Sequence, residues 1–121
     1  MRYIFSVTVS LSAPCGTPEL YMQHADALAQ AMNTVLATKE SLLDLSKATE
    51  EMIESTHVEC EVTRDGDDRV VASAVLDMEA SEPMQLNKPM LTKAFKAQLG
   101  SLGKLRVEKR LLAEPEPVPA A

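Results

Sequence analysis

Large apolar side chains stand at every second position from residue 3 to residue 11. They are Tyr3, Phe5, Val7, Val9 and Leu11, and Ile4, Ser6, Thr8 and Ser10 alternate with them. A period of two puts alternate side chains on opposite sides of an extended backbone. The segment is also rich in β-branched and aromatic residues, which favour strands. It is therefore predicted to be a strand with one buried face.

A helix is predicted to begin after the first loop. Thr17 can cap its N-terminus, Pro18 suits the first helical position, and Glu19 complements the positive end of the helix dipole. Side chains then recur at spacings of three and four up to about Ile53, as on one face of a helix. They are Leu28, Ala31, Val35, Thr38, Leu42, Leu45, Thr49 and Met52.

One unbroken helix over residues 17–53 would be about 55 Å long, far longer than the first strand needs as cover. We therefore expect a bend or break near Thr38, with one segment on the sheet and the other projecting. Ser41, followed by Asp44, is an alternative start for a second helix. The sequence leaves open whether residues 17–54 form one helix or two.

A β-hairpin is predicted next. Apolar and polar residues alternate from Val58 to Val62 and again from Val70 to Met78, and Asp65–Asp68 supplies turn residues between them. More than two residues connect the strands, so a longer loop or a bulge at Gly66 is expected. Cys60 falls on the apolar face of the first of these strands and is expected in the core.

A second helix and a fourth strand complete the pattern. The helix starts at Asn87–Pro89 and stops before Gly100 and Gly103. Alternation from Lys104 to Leu112 predicts a strand, and the alternative is a helix that continues through these residues.

The predicted order of strand, helix, strand, strand, helix, strand is that of the ferredoxin-like βαββαβ fold. In this α+β fold an antiparallel four-stranded sheet carries both helices on one face. The usual strand order 4-1-3-2 makes the first strand central and the second an edge. Residues 1–112 are predicted to form this single domain, and residues 113–121, which hold three prolines, a disordered tail.

Composition excludes several classes of protein. With 45% apolar and 25% charged residues, the chain has the composition of a globular domain. It contains no apolar run of about 18 residues and no signal-peptide core, which predicts a cytosolic protein with no membrane contact. Cys15 and Cys60 are too few for a disulfide framework and are not expected to pair, and no Cys/His spacing fits a zinc site. We expect neither metal nor cofactor.

The net charge of −6 is unevenly distributed. Residues 1–39 are neutral, residues 40–82 hold thirteen acidic and three basic residues, and residues 83–121 hold three acidic and seven basic residues. Such segregation bears on binding partners rather than on the fold. The acidic residues predicted to form a binding surface are Glu50, Glu51, Glu54, Glu59, Glu61, Asp65, Asp67 and Asp68.

The leading hypothesis is a non-enzymatic protein–protein interaction module, an inhibitor or adaptor. Its acidic surface would resemble nucleic acid in charge and bind a basic or nucleic-acid-handling protein. Because the helical stripe is longer than the sheet, its later part is expected to join two copies as a homodimer through Leu42, Leu45 and Met52. Replacing Leu45 with Asp should then separate the copies, whereas Leu28→Asp should unfold the chain.

Two alternatives belong to other classes. Direct nucleic-acid binding would use the basic segment 88–110, although Tyr3 and Phe5 are assigned to the core and leave no stacking aromatics. A small enzyme or ligand sensor would use Cys15, which lies near a helix start but has no base in a pairing motif, so Cys15 is expected to be dispensable. His24 falls near the helical stripe and is expected to be packed and hydrogen-bonded. The basic residues are Lys88, Lys93, Lys96, Lys104, Arg106, Lys109 and Arg110.

Overall fold

A computed structural model describes residues 1–37, 53–82 and 85–113. Its elements are β1 (Arg2–Ser12), α1 (Pro18–Leu36), β2 (Ile53–Arg64), β3 (Arg69–Ala80), α2 (Lys88–Leu99) and β4 (Lys104–Ala113). The strands form one antiparallel sheet in the order β2-β3-β1-β4. The ferredoxin-like fold is thereby confirmed, with a central first strand and an edge second strand. Residues 104–113 form a strand and do not continue the helix.

Both helices begin where side-chain caps predict. The Leu20 N–H donates to Thr17 Oγ1 over 3.3 Å, and the Met90 N–H donates to Asn87 Oδ1 over 3.0 Å. Each helix also has a proline in its first turn, where no hydrogen bond is lost. Among the described residues, no helix combines the length and the hydropathy needed to cross a membrane.

The core lies between the sheet and the two described helices. Val7 and Val9 of β1 are fully buried, as are Leu28 of α1 and Phe95 of α2. The alternate residues of the strands point to the other side of the sheet, which we call the open face. On the two central strands the open face carries Arg2, Ile4, Ser6, Thr8, Ser10, Ser12, Arg69, Val71, Ser73, Val75, Asp77 and Glu79.

The connection between β2 and β3 spans residues 65–68, and we call it the acidic turn. Gly66 has φ +75°, a conformation that favours glycine. The Asp65 N–H donates to Arg69 O over 2.9 Å and closes the turn. The expected longer loop at Gly66 is confirmed.

Two expectations about β2 are wrong. Ile53 begins the strand, paired with Ala80 and 4% exposed, and does not end a helical stripe. A single apolar residue fits the period of a helix as well as that of a strand, and the pairing of Ile53 with β3 makes it part of the strand. Cys60 is exposed and is not part of the core, because an edge strand lies at the border of the area that the helices cover. Val58 and Val62 on the same side of β2 are likewise only half-buried.

The later part of the predicted helical stripe lies outside the described residues, and this includes Leu42, Leu45 and Met52. Within them, α1 ends at Leu36 with Ala37 as its C-cap, close to the expected interruption near Thr38.

Candidate protein-binding surface

The acidic turn presents three carboxylates on a backbone that is held in place. Asp65, Asp67 and Asp68 are all exposed. The Ala13 N–H donates to Asp68 O over 2.9 Å, and the Cys15 N–H donates to Asp67 O over 2.8 Å. The loop between β1 and α1 therefore fixes the backbone of the turn, while its side chains face solvent.

The Cys15 thiol lies beneath the acidic turn. Its side chain is 0% exposed, and Sγ lies 3.6 Å from Gly66 O and 3.5 Å from Arg69 O. A thiol is a weak hydrogen-bond donor, and here it faces two carbonyls of the turn. A thiol without exposed surface cannot contact a substrate in this conformation. The geometry thus gives Cys15 a structural role.

The carboxylates of β2 are spread along the strand. Glu54 lies at its start, beside the register shift between Ile53 and Ser55. At about 3.3 Å per residue, Glu54 is about 35 Å from the acidic turn. Glu59 and Glu61 lie between them on the open face, opposite Val75 and Ser73 of β3.

The structure therefore brings together only part of the predicted acidic set. The turn carboxylates form one compact group, Glu59 and Glu61 form a pair on the open face, and Glu54 is remote from the turn. Glu50 and Glu51 lie outside the described residues.

Ion pairs in this region are long or exposed. Arg69 lies 3.5 Å from Asp65, and His57 Nε2 lies 3.4 Å from Glu59 Oε1, all at the surface. Exposed pairs of this kind contribute little to stability. They leave Asp67, Asp68 and Glu61 without an ion-pair partner in the described part of the chain.

A tighter pair joins β1 to β3 on the open face. Arg2 Nε donates to Asp77 Oδ1 over 3.0 Å, and Arg2 Nη2 donates to Asp77 Oδ2 over 2.6 Å. The hydrogen bonds and the positive charge of Arg2 lower the pKa of Asp77. No sequence pattern indicates this pair, because its partners are adjacent only through the strand register.

The predicted basic set is divided between two sides of the sheet. Lys109 is half-buried, and its Nζ donates to Leu86 O near the start of α2. A shallow hollow of about 300 Å³ lies on the open face between β1 and β4. The cations of α2 are Lys88, Lys93 and Lys96, and those on the open-face side of β4 are Lys104, Arg106 and Arg110.

The aromatic residues of β1 lie on the helix side. Tyr3 and Phe5 are buried, with ring centroids 6.0 Å apart. The open-face positions of the four described strands carry no aromatic ring except the imidazole of His57. Base stacking therefore has no platform of tyrosine, tryptophan or phenylalanine there.

His24 is packed as expected, with 6% of its surface exposed, but the expected hydrogen bond is missing at one atom. Its Nδ1 is buried and has no partner among the described residues. No group of three or more His, Cys, Asp or Glu side chains within residues 1–37, 53–82 and 85–113 is arranged to hold a metal ion.

No protein-family model and no curated protein matches the chain. Its fold is similar to part of an unknown protein from Galdieria sulphuraria, at 14% identity and TM-score 0.41, over 97% of this chain and 49% of that one. It is also similar to part of the aminopeptidase PepT from Bacillus cereus, at 17% identity and TM-score 0.44, over 91% of this chain and 29% of that one. The chain thus spans half or less of these proteins, and at these TM-scores the likeness carries no functional information.

Proposed function

We propose that the chain is a cytosolic, non-enzymatic interaction module that acts as an inhibitor or adaptor. In this proposal Asp65, Asp67 and Asp68 bind a basic region of another protein. The observation that carries the proposal is the acidic turn: three exposed carboxylates within four residues, on a backbone that the β1–α1 loop holds.

A fixed backbone favours binding because less conformational freedom is lost when the partner arrives. Complementary charge adds speed and selectivity, since it steers oppositely charged surfaces together and rejects like-charged ones. Glu59 and Glu61 add negative charge on the open face of β2, while the exposed Arg64 and Arg69 flank the turn. Proteins that handle nucleic acids present basic surfaces, so they are the class of partner that this charge favours.

The test neutralises the turn with Asp65→Asn, Asp67→Asn and Asp68→Asn in one variant. Binding of a fluorescent oligolysine peptide, followed by anisotropy, should weaken at least tenfold relative to the wild type. The wild-type affinity should itself fall as salt rises, because exposed charges are screened beyond about 8 Å at physiological ionic strength. The partner captured from cells of the source organism should be lost with the same variant.

The matched control removes three carboxylates elsewhere, with Glu19→Gln, Asp26→Asn and Glu82→Gln, all exposed in the wild type. It has the same net charge as the turn variant and should bind like the wild type. Equal losses in both variants would mean that only net charge matters and would refute a site at the turn. Binding of duplex DNA or RNA by the wild type, in place of oligolysine, would favour the nucleic-acid alternative.

A further inference from the structure

The open face carries opposite charges at its two edges. On β2, Glu59 and Glu61 point to this side. On β4, Lys104, Arg106 and Arg110 point to it together with Glu108. One edge therefore has two negative charges, and the other has three positive charges and one negative.

The strand register places one complementary pair in the same row near the middle of the sheet. The row runs across the four strands as Glu59, Val75, Ser6 and Arg110. Arg106 already holds Glu108 over 2.8 Å, but Arg110 has no ion-pair partner within the described part of the chain. Glu59 and Arg110 are separated by the width of the sheet and do not reach each other within one copy.

A second copy of the chain places Glu59 opposite a cation in one orientation. If two open faces meet about a two-fold axis parallel to the strands, β2 of each copy lies over β4 of the other, and every row lies over itself. Glu59 then meets Arg110 of the second copy, and symmetry repeats the contact. The neighbouring row is Glu61, Ser73, Thr8 and Glu108, so Glu61 meets Glu108 of the second copy, whose charge is offset by Arg106 of that copy. An axis across the strands would instead place β2 over β2 and bring carboxylates together, which is unfavourable.

The same orientation matches shape in the middle of the face. It places β3 over β1, so that Val75, which is 43% exposed, lies over Ser6 of the second copy. Ser6 and Thr8 line a hollow of about 350 Å³ beside Arg110. Short side chains on β1 allow two sheets to approach to the usual spacing of about 10 Å.

The face is also large enough. Four strands about 4.8 Å apart, paired over nine to eleven residues, project about 600–700 Å², and the uneven surface of the side chains adds to this area. Stable protein interfaces bury about 800 Å² of accessible surface on each partner.

We propose that the open face binds the open face of a second copy, with β2 of each copy over β4 of the other and Glu59 paired with Arg110. The last row holds Asp65, Arg69, Ser12 and Lys104, and Asp67 and Asp68 lie beyond it and stay accessible in this dimer. The inference goes beyond the proposed function and uses a surface other than the predicted helical stripe. The dimer covers Glu59 and Glu61, so the turn carboxylates remain for the basic partner.

The test is a charge exchange followed by sedimentation velocity. The wild type should be a dimer, and Glu59→Arg or Arg110→Glu alone should shift it to monomer, because each places like charges together. An equimolar mixture of the two single variants should form a heterodimer, since one copy then offers two cations and the other two anions. The double variant Glu59→Arg, Arg110→Glu in one chain should dimerise again.

Asp26→Arg on α1, which is exposed and away from the open face, is the control and should stay dimeric. Circular dichroism checks that every variant is folded. A monomeric wild type, single variants that dimerise like the wild type, or a mixture that stays monomeric would overturn the proposal. None of these outcomes concerns the oligolysine assay on the turn, so the two proposals fail separately.

Discussion

Cys15 and Cys60 show how position gives one residue type two different chemistries. Cys15 is fully buried beneath the acidic turn, whereas Cys60 is exposed on the edge strand. Partial burial nevertheless raises the pKa of the Cys60 thiol. A raised pKa leaves less of the reactive thiolate at neutral pH.

A thiol reagent such as Ellman's reagent should therefore modify one thiol of the folded protein, Cys60, and Cys15 only on unfolding. The rate at Cys60 should keep increasing at pH values above the pKa of an ordinary exposed thiol. Cys60→Ser should remove the reaction of the folded protein, and Cys15→Ser should leave it unchanged. Rapid modification of Cys15 without denaturant would contradict the burial described here.

At the scale of elements, the turn from α2 to β4 passes very close to the end of β1. A Cβ atom on Gly103 would lie 2.1 Å from Ser12 O, a contact that real structures do not tolerate. Ser12 is paired with Lys104, the first residue of β4. The glycine thus allows β4 to begin its pairing with β1 directly after the turn.

Gly103→Ala should lower the free energy of unfolding by about 1–3 kcal/mol, because the turn must move away from β1. Gly16→Ala is the matched control, since its Cβ would meet nothing closer than 3.6 Å, at Asp67. Urea denaturation of both variants measures the difference. Equal stabilities would show that the turn adjusts without disturbing the sheet.

At the scale of the whole molecule, the buried residues form one core cluster shared by the sheet and both described helices. Leu28 and Met22 lie on the same helix, but Leu28 is fully buried in this cluster and Met22 is 61% exposed. The same substitution at the two positions therefore separates the effect of burial on stability from the effect of helix propensity.

Leu28→Asp should unfold the chain, because burying an unpaired carboxylate costs several kcal/mol, a large part of the stability of a small domain. Met22→Asp should melt close to the wild type. Thermal melts followed by circular dichroism compare them, and similar melting of the two variants would refute a single core that depends on α1. The expectation for Leu45→Asp concerns residues outside the described ranges and stays a prediction.

Local patterns were enough to predict the order of the elements and most of their bounds. The period of two in residues 3–11, the caps Thr17 and Asn87, and the turn at Gly66 each depend on residues a few positions apart, so the sequence contains them in full. Packing against the rest of the chain reinforced these preferences and rarely opposed them. The charge of the acidic turn was visible for the same reason.

Contacts between distant parts of the chain could not be predicted from such local patterns. The strand register places Glu59 and Arg110 in one row and brings Arg2 next to Asp77. It also pairs Ile53 with Ala80, so that Ile53 belongs to β2. The edge position of β2 exposed Cys60, and its extended backbone separated Glu54 from the acidic turn. These outcomes depend on which residues pair across the sheet, and the periodicity of a strand is the same in every register that keeps its apolar face inside.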